Sequence, residues 1–453
     1  MMYFKSKKSE FIHKIFLAFI LIQPFLDVLT GLSLRLTESQ FSFSLVVRAL
    51  FILVSVIYLF FFRVHSSQKK IIIYFLIFAV FLMINLGINY IEKPQFYLLS
   101  EVKFIFKTIY FIVIFFLYGI IIDLLKNEGY VQALRYIGIA VTIYSAIIFI
   151  AGITGTAFPS YKYQKLGHVG WFYASNEIGV ILAMGLPIVL LLALRISNLY
   201  WVSVFLVVYS LFAIGTKVGY LSILFTLFLT LVFVVKDFIL NHRKIKVNFS
   251  AFKIVMVSLY LVGSIMYTPF APITKNMNIH LTILETKKGV ETGKSNKTEE
   301  QNIKKETKDI DSEEISNLVY SGRTGFLQMY KEFFKKASLS QKLFGMGYGG
   351  NFDKNPKMIE MDFHDIFYSF GIIGFLIYIF PIIYFIYKIL KEFTNRFFDF
   401  FRYENVLIVA SCILGLGIAF MAGHVLTAPS VSYFLAILMS CIIVKYKKFV
   451  FRS

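Results

Sequence analysis

Twelve mostly apolar stretches, each close to the ~20 residues that cross a bilayer's hydrocarbon core, dominate this sequence. They fall at 11–30, 43–62, 71–90, 104–125, 134–153, 177–194, 199–215, 218–235, 251–268, 366–387, 405–424 and 430–445. In hydrocarbon each backbone N–H and C=O must be paired within its own segment, so such stretches can only be helices. The expected fold is an all-α polytopic membrane protein with about 12 transmembrane helices. At 58% apolar residues the chain lies well above the ~45–50% of a soluble domain. Pro24 and Asp27 inside the first stretch, with no small-residue cleavage site after it, speak against a cleavable signal peptide. Cys412 and Cys441 lie in apolar stretches and form neither a disulfide framework nor a zinc spacing.

A formal charge of +20 would suggest nucleic acid in a soluble protein. Here it is read as topology, because Lys and Arg collect in cytoplasmic loops. With twelve spans and an inside N-terminus, 23 of the 46 Lys and Arg fall on the inner side, eight in the short outer loops and 15 in one long loop. That ratio predicts a multi-pass membrane protein with both termini cytoplasmic and the long loop extracytoplasmic.

Three regions follow: helices 1–9 over 1–268, the loop over 269–365, and helices 10–12 over 366–453. Within the loop, Glu285 to Glu314 carries nine acids and seven bases with hardly an apolar residue, and is expected to be disordered. From 315 to 365 the loop is expected to be ordered and functional. Leu318, Phe326, Met329, Phe333 and Phe334 recur at helical spacing and predict an amphipathic helix over about 322–337. The glycines at 345, 347, 349 and 350 either form turns or cradle a phosphate.

Ionisable groups at membrane depth or at the outer mouth need an explanation, because each costs roughly 2.5–3.5 kcal/mol at a helix centre unless paired. Asp27 and Arg48 can meet at similar depth, as a structural pair or at a substrate. Lys103 and Lys107, at i and i+4, share a helix face that reaches headgroups or attracts an anion. Lys217, between two apolar helices, is a helix-end cation or a phosphate contact. Arg323 opens the amphipathic helix and can present a bidentate fork to phosphate. His364, flanked by Asp362 and Asp365, is a neutral-range proton acceptor with carboxylates near enough in sequence to orient it. A metal site or a structural histidine are the alternatives there.

Four segments resemble the O-antigen polymerase and ligase superfamily, of the Wzy and WaaL type. Gly170-Trp171-Phe172-Tyr173-Ala174-Ser175-Asn176-Glu177 is similar to its glycine-aromatic segment before a helix, without the proline usual before Asn176. Gly215-Thr216-Lys217-Val218-Gly219 resembles its "SxSRG" junction, with lysine for arginine. Gly322-Arg323 with Leu343-Phe344-Gly345-Met346-Gly347-Tyr348-Gly349 resembles "GR … lfGxGxG". His364-Asp365 with Gly371 and Gly374 resembles "HN … GxxG".

The resemblance implies a GT-C-like fold and an inverting, metal-independent glycosyltransferase without cofactor. Its donor would be a glycan on undecaprenyl pyrophosphate at the outer membrane face. By carry-over His364 accepts the acceptor hydroxyl's proton, Arg323 and Lys217 hold the pyrophosphate, and Asp362, Asp365 and Asn176 support them. Lys103, Lys107 and Arg48 are secondary candidates. Expected partners are the lipid-linked oligosaccharide, membrane lipids, a flippase and a chain-length regulator, and not nucleic acid. Polymerisation of repeat units into a surface polysaccharide is the first reading, and ligase-like transfer to a terminal acceptor the second. A transporter or lipid flippase comes third, since it would place its charges near the bilayer midplane and show related halves.

Overall fold

A computed structural model of the chain describes residues 7–36, 42–62, 67–161, 165–241, 247–279, 323–352 and 357–449. Helices α1 (Lys7–Leu36), α2 (Phe43–Phe61), α3 (Gln68–Glu92), α4 (Leu98–Ile153), α5 (Ser175–Arg195), α6 (Tyr200–Ile214), α7 (Lys217–Asn241) and α8 (Val247–Tyr267) come first. Then follow α9 (Arg323–Lys336), α10 (Leu339–Phe344), α11 (Asp362–Asn395), α12 (Tyr403–Met421) and α13 (Pro429–Phe449). Among the described residues nine helices are long and apolar enough to cross a membrane, with α6 and Pro429–Lys445 as shorter apolar helices. The protein is an all-α polytopic membrane protein.

Each of the twelve expected stretches falls on a helical segment, two of them on α4. That helix breaks at Lys126 (φ 59, ψ −139), which gives two arms where the sequence has two spans. The stretch expected to end at 424 ends as a helix at Met421. The break at 215 is sharp, with Gly215 left-handed at φ 73. The insertion expected to be disordered, 285–314, lies outside the described residues.

α5 is apolar all round and lies at the centre, with every residue from Ile178 to Leu194 buried. Because lipid tails are as apolar as leucine, helices in a bilayer associate through close packing, which small residues permit. A Cβ on Gly138 would fall 2.2 Å from Leu192, and one on Gly185 2.4 Å from Val141, so α4 and α5 approach over glycine. Exposed Leu53, Leu76 and Leu259 on the outlying helices α2, α3 and α8 face outward, as a lipid-facing surface requires.

The amphipathic helix forms as α9. Phe326, Phe333 and Phe334 pack around the fully buried Tyr330 with Met346, Ile359, Met361 and Tyr368. Met329, expected on the apolar face, is 41% exposed, and Tyr330 takes the central place. α11 is broken at Gly371 (φ 65, ψ −170). The break leaves the carbonyls of Tyr368 and Ser369 to accept from Met346 N (2.9 Å) and Gly347 N (3.1 Å). The glycine run is thus tied onto α11.

Candidate functional site

The site forms where helix starts meet at one end of the bundle. Thr216 Oγ1 accepts from Gly219 N at 3.1 Å, capping α7 so that Lys217 is its first residue. Arg323 is the first residue of α9, and Asn176 the second of α5. Each helix start carries partial positive charge on its unpaired N–H groups. Lys217, Arg323 and Asn176 line one cavity of about 200 Å³, with Lys165 from the loop before α5. None of the described residues lining it is acidic. Three cations and three helix starts around one space give it a positive field that favours an anion.

Gly215 makes this possible. Its left-handed turn directs its carbonyl to Asn276 Nδ2 (3.0 Å) and the Tyr161 hydroxyl (3.3 Å), which donate to it. Asn276 also accepts from Leu166 N (2.7 Å) and donates to Leu166 O (2.8 Å). One side chain thereby fastens the Lys217 junction to the loop that carries Lys165.

A second cavity, of about 440 Å³, shares Tyr161 and Asn176 with the first and is also lined by Arg35, Tyr173, Glu177 and His424. Arg35 donates to the carbonyls of Pro159 and Tyr173, both at 3.3 Å, and lies over the rings of Phe158 and Tyr173 at 5.1 and 5.6 Å. Glu177 accepts from the Ser430 hydroxyl. Fixed charge with aromatic faces suits a polar, hydroxyl-rich ligand.

His424 and Arg323 are joined through Glu360. Glu360 Oε2 lies 3.7 Å from His424 Nε2 and 3.5 Å from Arg323 Nη2. Burial is the largest influence on His424 and disfavours its charge. Contact with Glu360 and the charges of Asp362, Glu177 and Glu360 outweigh it, so the imidazole titrates above its usual range. Contact with His424 is the first cause of Glu360 lying below the usual carboxylate range. Burial opposes it, and the charges of His424, Arg323 and Lys357 add to it. Glu360 (φ 65) and His424 (φ 59) are two of the three described non-glycine residues with positive φ. Such backbone costs of order 1–3 kcal/mol each and persists where the surroundings impose it.

The surroundings are Asp362 and Asp365, whose roles differ from expectation. Asp362, fully buried, accepts from His424 N (3.1 Å), Val425 N (2.7 Å), Leu426 N (2.7 Å) and Thr427 Oγ1 (2.7 Å). Asp365 accepts from Ile359 N (2.8 Å) and Met361 N (3.1 Å). Both carboxylates bind loop backbone, and neither orients the ring of His364. That ring is half-buried, 5.8 Å from the ring of Phe420, with Nδ1 buried and unpartnered. His364 lines neither cavity.

Other expectations divide. Arg48 donates to Asp27 Oδ1 at 2.8 Å and to Gln23 Oε1 at 2.9 and 3.1 Å, while the Tyr144 hydroxyl donates to Asp27 Oδ2 at 2.5 Å. This is a buried structural pair, and Arg48 lines neither cavity. Lys103 and Lys107 are exposed on α4 and line neither. The glycine run spends most of its N–H groups within the protein. Besides the ties to α11, Gly345 N binds Gln341 O (2.7 Å) and Tyr348 N binds Glu101 Oε2 (2.7 Å). Lys93, its side chain buried, donates to Glu101 Oε1 (2.5 Å) and Tyr348 O (2.7 Å), which completes the latch.

A model of the O-antigen ligase like membrane protein family matches residues 9–449. The chain belongs to that family. Membership carries ligase- or polymerase-type glycan transfer as the class of activity, on a membrane-bound, lipid-linked glycan. No curated protein matches the chain, and no solved structure does. Among the described residues no group of three His, Cys, Asp or Glu gathers as a metal-binding set.

Arg35, Lys165, Glu360 and His424 were not singled out by the sequence reading. Arg35 and Lys165 had a signal there, as bases on the outer side. Glu360 and His424 had only Gly423-His424 at a helix end, which gains meaning through pairing across 64 residues of chain.

Proposed function

We propose that the protein is an inverting glycosyltransferase that polymerises undecaprenyl-pyrophosphate-linked oligosaccharide repeat units into a cell-surface polysaccharide, at the outer face of the bacterial plasma membrane. The observation carrying this reading is the cavity lined by Lys165, Lys217 and Arg323 where three helices start, with no acidic side chain among its described lining residues. A pyrophosphate leaving group gains charge as the glycosidic bond breaks, and fixed cations aimed at it stabilise that transition state. The adjoining cavity of Arg35, Asn176 and His424 takes sugar.

The two histidines divide the acid–base work by environment. His364, in the segment that resembles the family's "HN … GxxG", is the base that takes the acceptor hydroxyl's proton as that oxygen attacks the anomeric carbon. His424, whose charged form Glu360 favours, is a wall group that also fixes Glu360 against Arg323. The reaction proceeds without a metal or cofactor. Both termini are cytoplasmic, and a flippase supplies the donor while a chain-length regulator limits the product.

Transfer to a terminal acceptor is the second reading, favoured by the ligase description of the matched family. Purified protein reconstituted with a lipid-linked repeat unit distinguishes them. A ladder of increasing length is expected. A single product on a distinct acceptor selects the ligase reading, and no product from either acceptor rejects glycan transfer.

A further inference from the structure

α5 runs from Asn176 at the glycan site to Arg195, roughly 30 Å at 1.5 Å per residue. That is one hydrocarbon thickness. At its far end lies a larger cavity of about 1020 Å³, between the break in α4, the end of α5, the start of α12 and the end of α13. Lys126, Arg135, Arg195 and Lys445 line it, against Glu128 and Glu404.

Both acids are already matched. Glu404 pairs with Arg195, and Glu128 lies 3.5 Å from Lys14. Lys126, Arg135 and Lys445 have no acid within salt-bridge distance among the described residues; Lys445 donates to Asn405 Oδ1 and lies over the Tyr130 ring at 5.5 Å. The rest of the wall is largely apolar, with Leu125, Leu134, Leu191 and Val444. Lys126 sits at the break itself, with positive φ. A kinked, strained backbone, three cations without acids and an aliphatic wall at a bilayer boundary match one chemistry, a phosphate bearing an acyl chain.

We infer that this cavity binds the headgroup of an anionic phospholipid in the leaflet opposite the glycan site, with its chain along the aliphatic wall. The test uses the full chain in detergent, with phosphatidylglycerol, phosphatidylcholine or inorganic phosphate added. Native mass spectrometry reads the lipid retained, and thermal unfolding reads stabilisation. Phosphatidylglycerol is expected to be retained over phosphatidylcholine and to raise Tm, while phosphate at millimolar concentration leaves Tm unchanged. Arg135→Gln with Lys445→Gln is expected to lower the preference on the order of tenfold or more. Lys126→Gln, at an exposed position, is expected to lower it about fivefold and serves if the double variant does not fold. Equal retention of the two lipids, or variants that keep the full preference, overturns the site. Stabilisation by phosphate equal to that by phosphatidylglycerol assigns a free anion and overturns the lipid.

Discussion

Glu360 and His424 meet at 3.7 Å with both backbones left-handed; buried Asp362 accepts from His424 N, and buried Asp365 accepts from the N–H groups of Ile359 and Met361 on either side of Glu360. This arrangement sets the pH behaviour of the site. His424 is raised, so the stability it contributes is fully present below its ordinary value of about 6.5 and is lost as pH rises through the raised value. Glu360 is lowered, so its contribution is present above about 4.3 and lost as pH falls through the depressed value. Glu360→Gln removes one support of the imidazolium, and His424 is then expected to titrate at lower pH. NMR titration of histidine-labelled protein reads this. An unchanged His424 titration in the Gln variant would show that the pair does not set its charge.

His364→Ala is expected to reduce glycan transfer ~10²–10⁴-fold, the usual share of a general base, with membrane insertion intact. Lys103→Gln and Lys107→Gln are expected to transfer glycan at the parental rate, since both face outward. Normal long-chain polymer from His364→Ala cells would remove that residue from the reaction.

At Arg323 the fork matters as well as the charge. Arg323→Lys cannot hold Glu360 and a phosphate in the same way, so a loss of ~10-fold or more in kcat/KM for the lipid-linked donor is expected, and a larger loss for Arg323→Ala. Lys217→Arg, which keeps charge at the start of α7, is expected to retain activity, while Lys217→Gln loses it. Donor kinetics on reconstituted protein decide this, and equal rates for Arg323→Lys and wild type would refute the bidentate role.

Gly371→Ala tests the break in α11. A Cβ there would lie 2.5 Å from Gly345 N in a left-handed backbone at φ 65, so a loss of about 2–4 kcal/mol is expected from strain and overpacking together. Thermal unfolding in detergent checks it, with Gly263→Ala as control because nothing lies within 4 Å of a Cβ there. Matching midpoints for the two would mean that the loop yields freely.

Asp362→Asn keeps the shape and replaces an acceptor by a donor facing backbone N–H groups. A cost of about 1–3 kcal/mol is expected, along with loss of activity through movement of His424. If the melting point falls and activity stays, Asp362 supports the fold and His424 has no part in transfer.

The spans, the helix at 323 and the break at 215 are legible in the sequence because the bilayer acts on each segment alone. Twenty apolar residues must be helical wherever their neighbours lie, and Gly215 ends a helix by its own backbone. The carbonyl latch of the glycine run depends on chain 22 residues away, and the role of Asp362 and the Glu360–His424 pair on chain more than 60 residues away. Asp362 stands two residues before His364, yet residues two apart on a helix point to nearly opposite sides, about 200° around the axis, and the carboxylate finds N–H groups of another loop. The sequence by itself determined the membrane fold and the cations Lys217 and Arg323. Only the tertiary structure decided which charges face one another, because that follows from packing between helices distant in the chain.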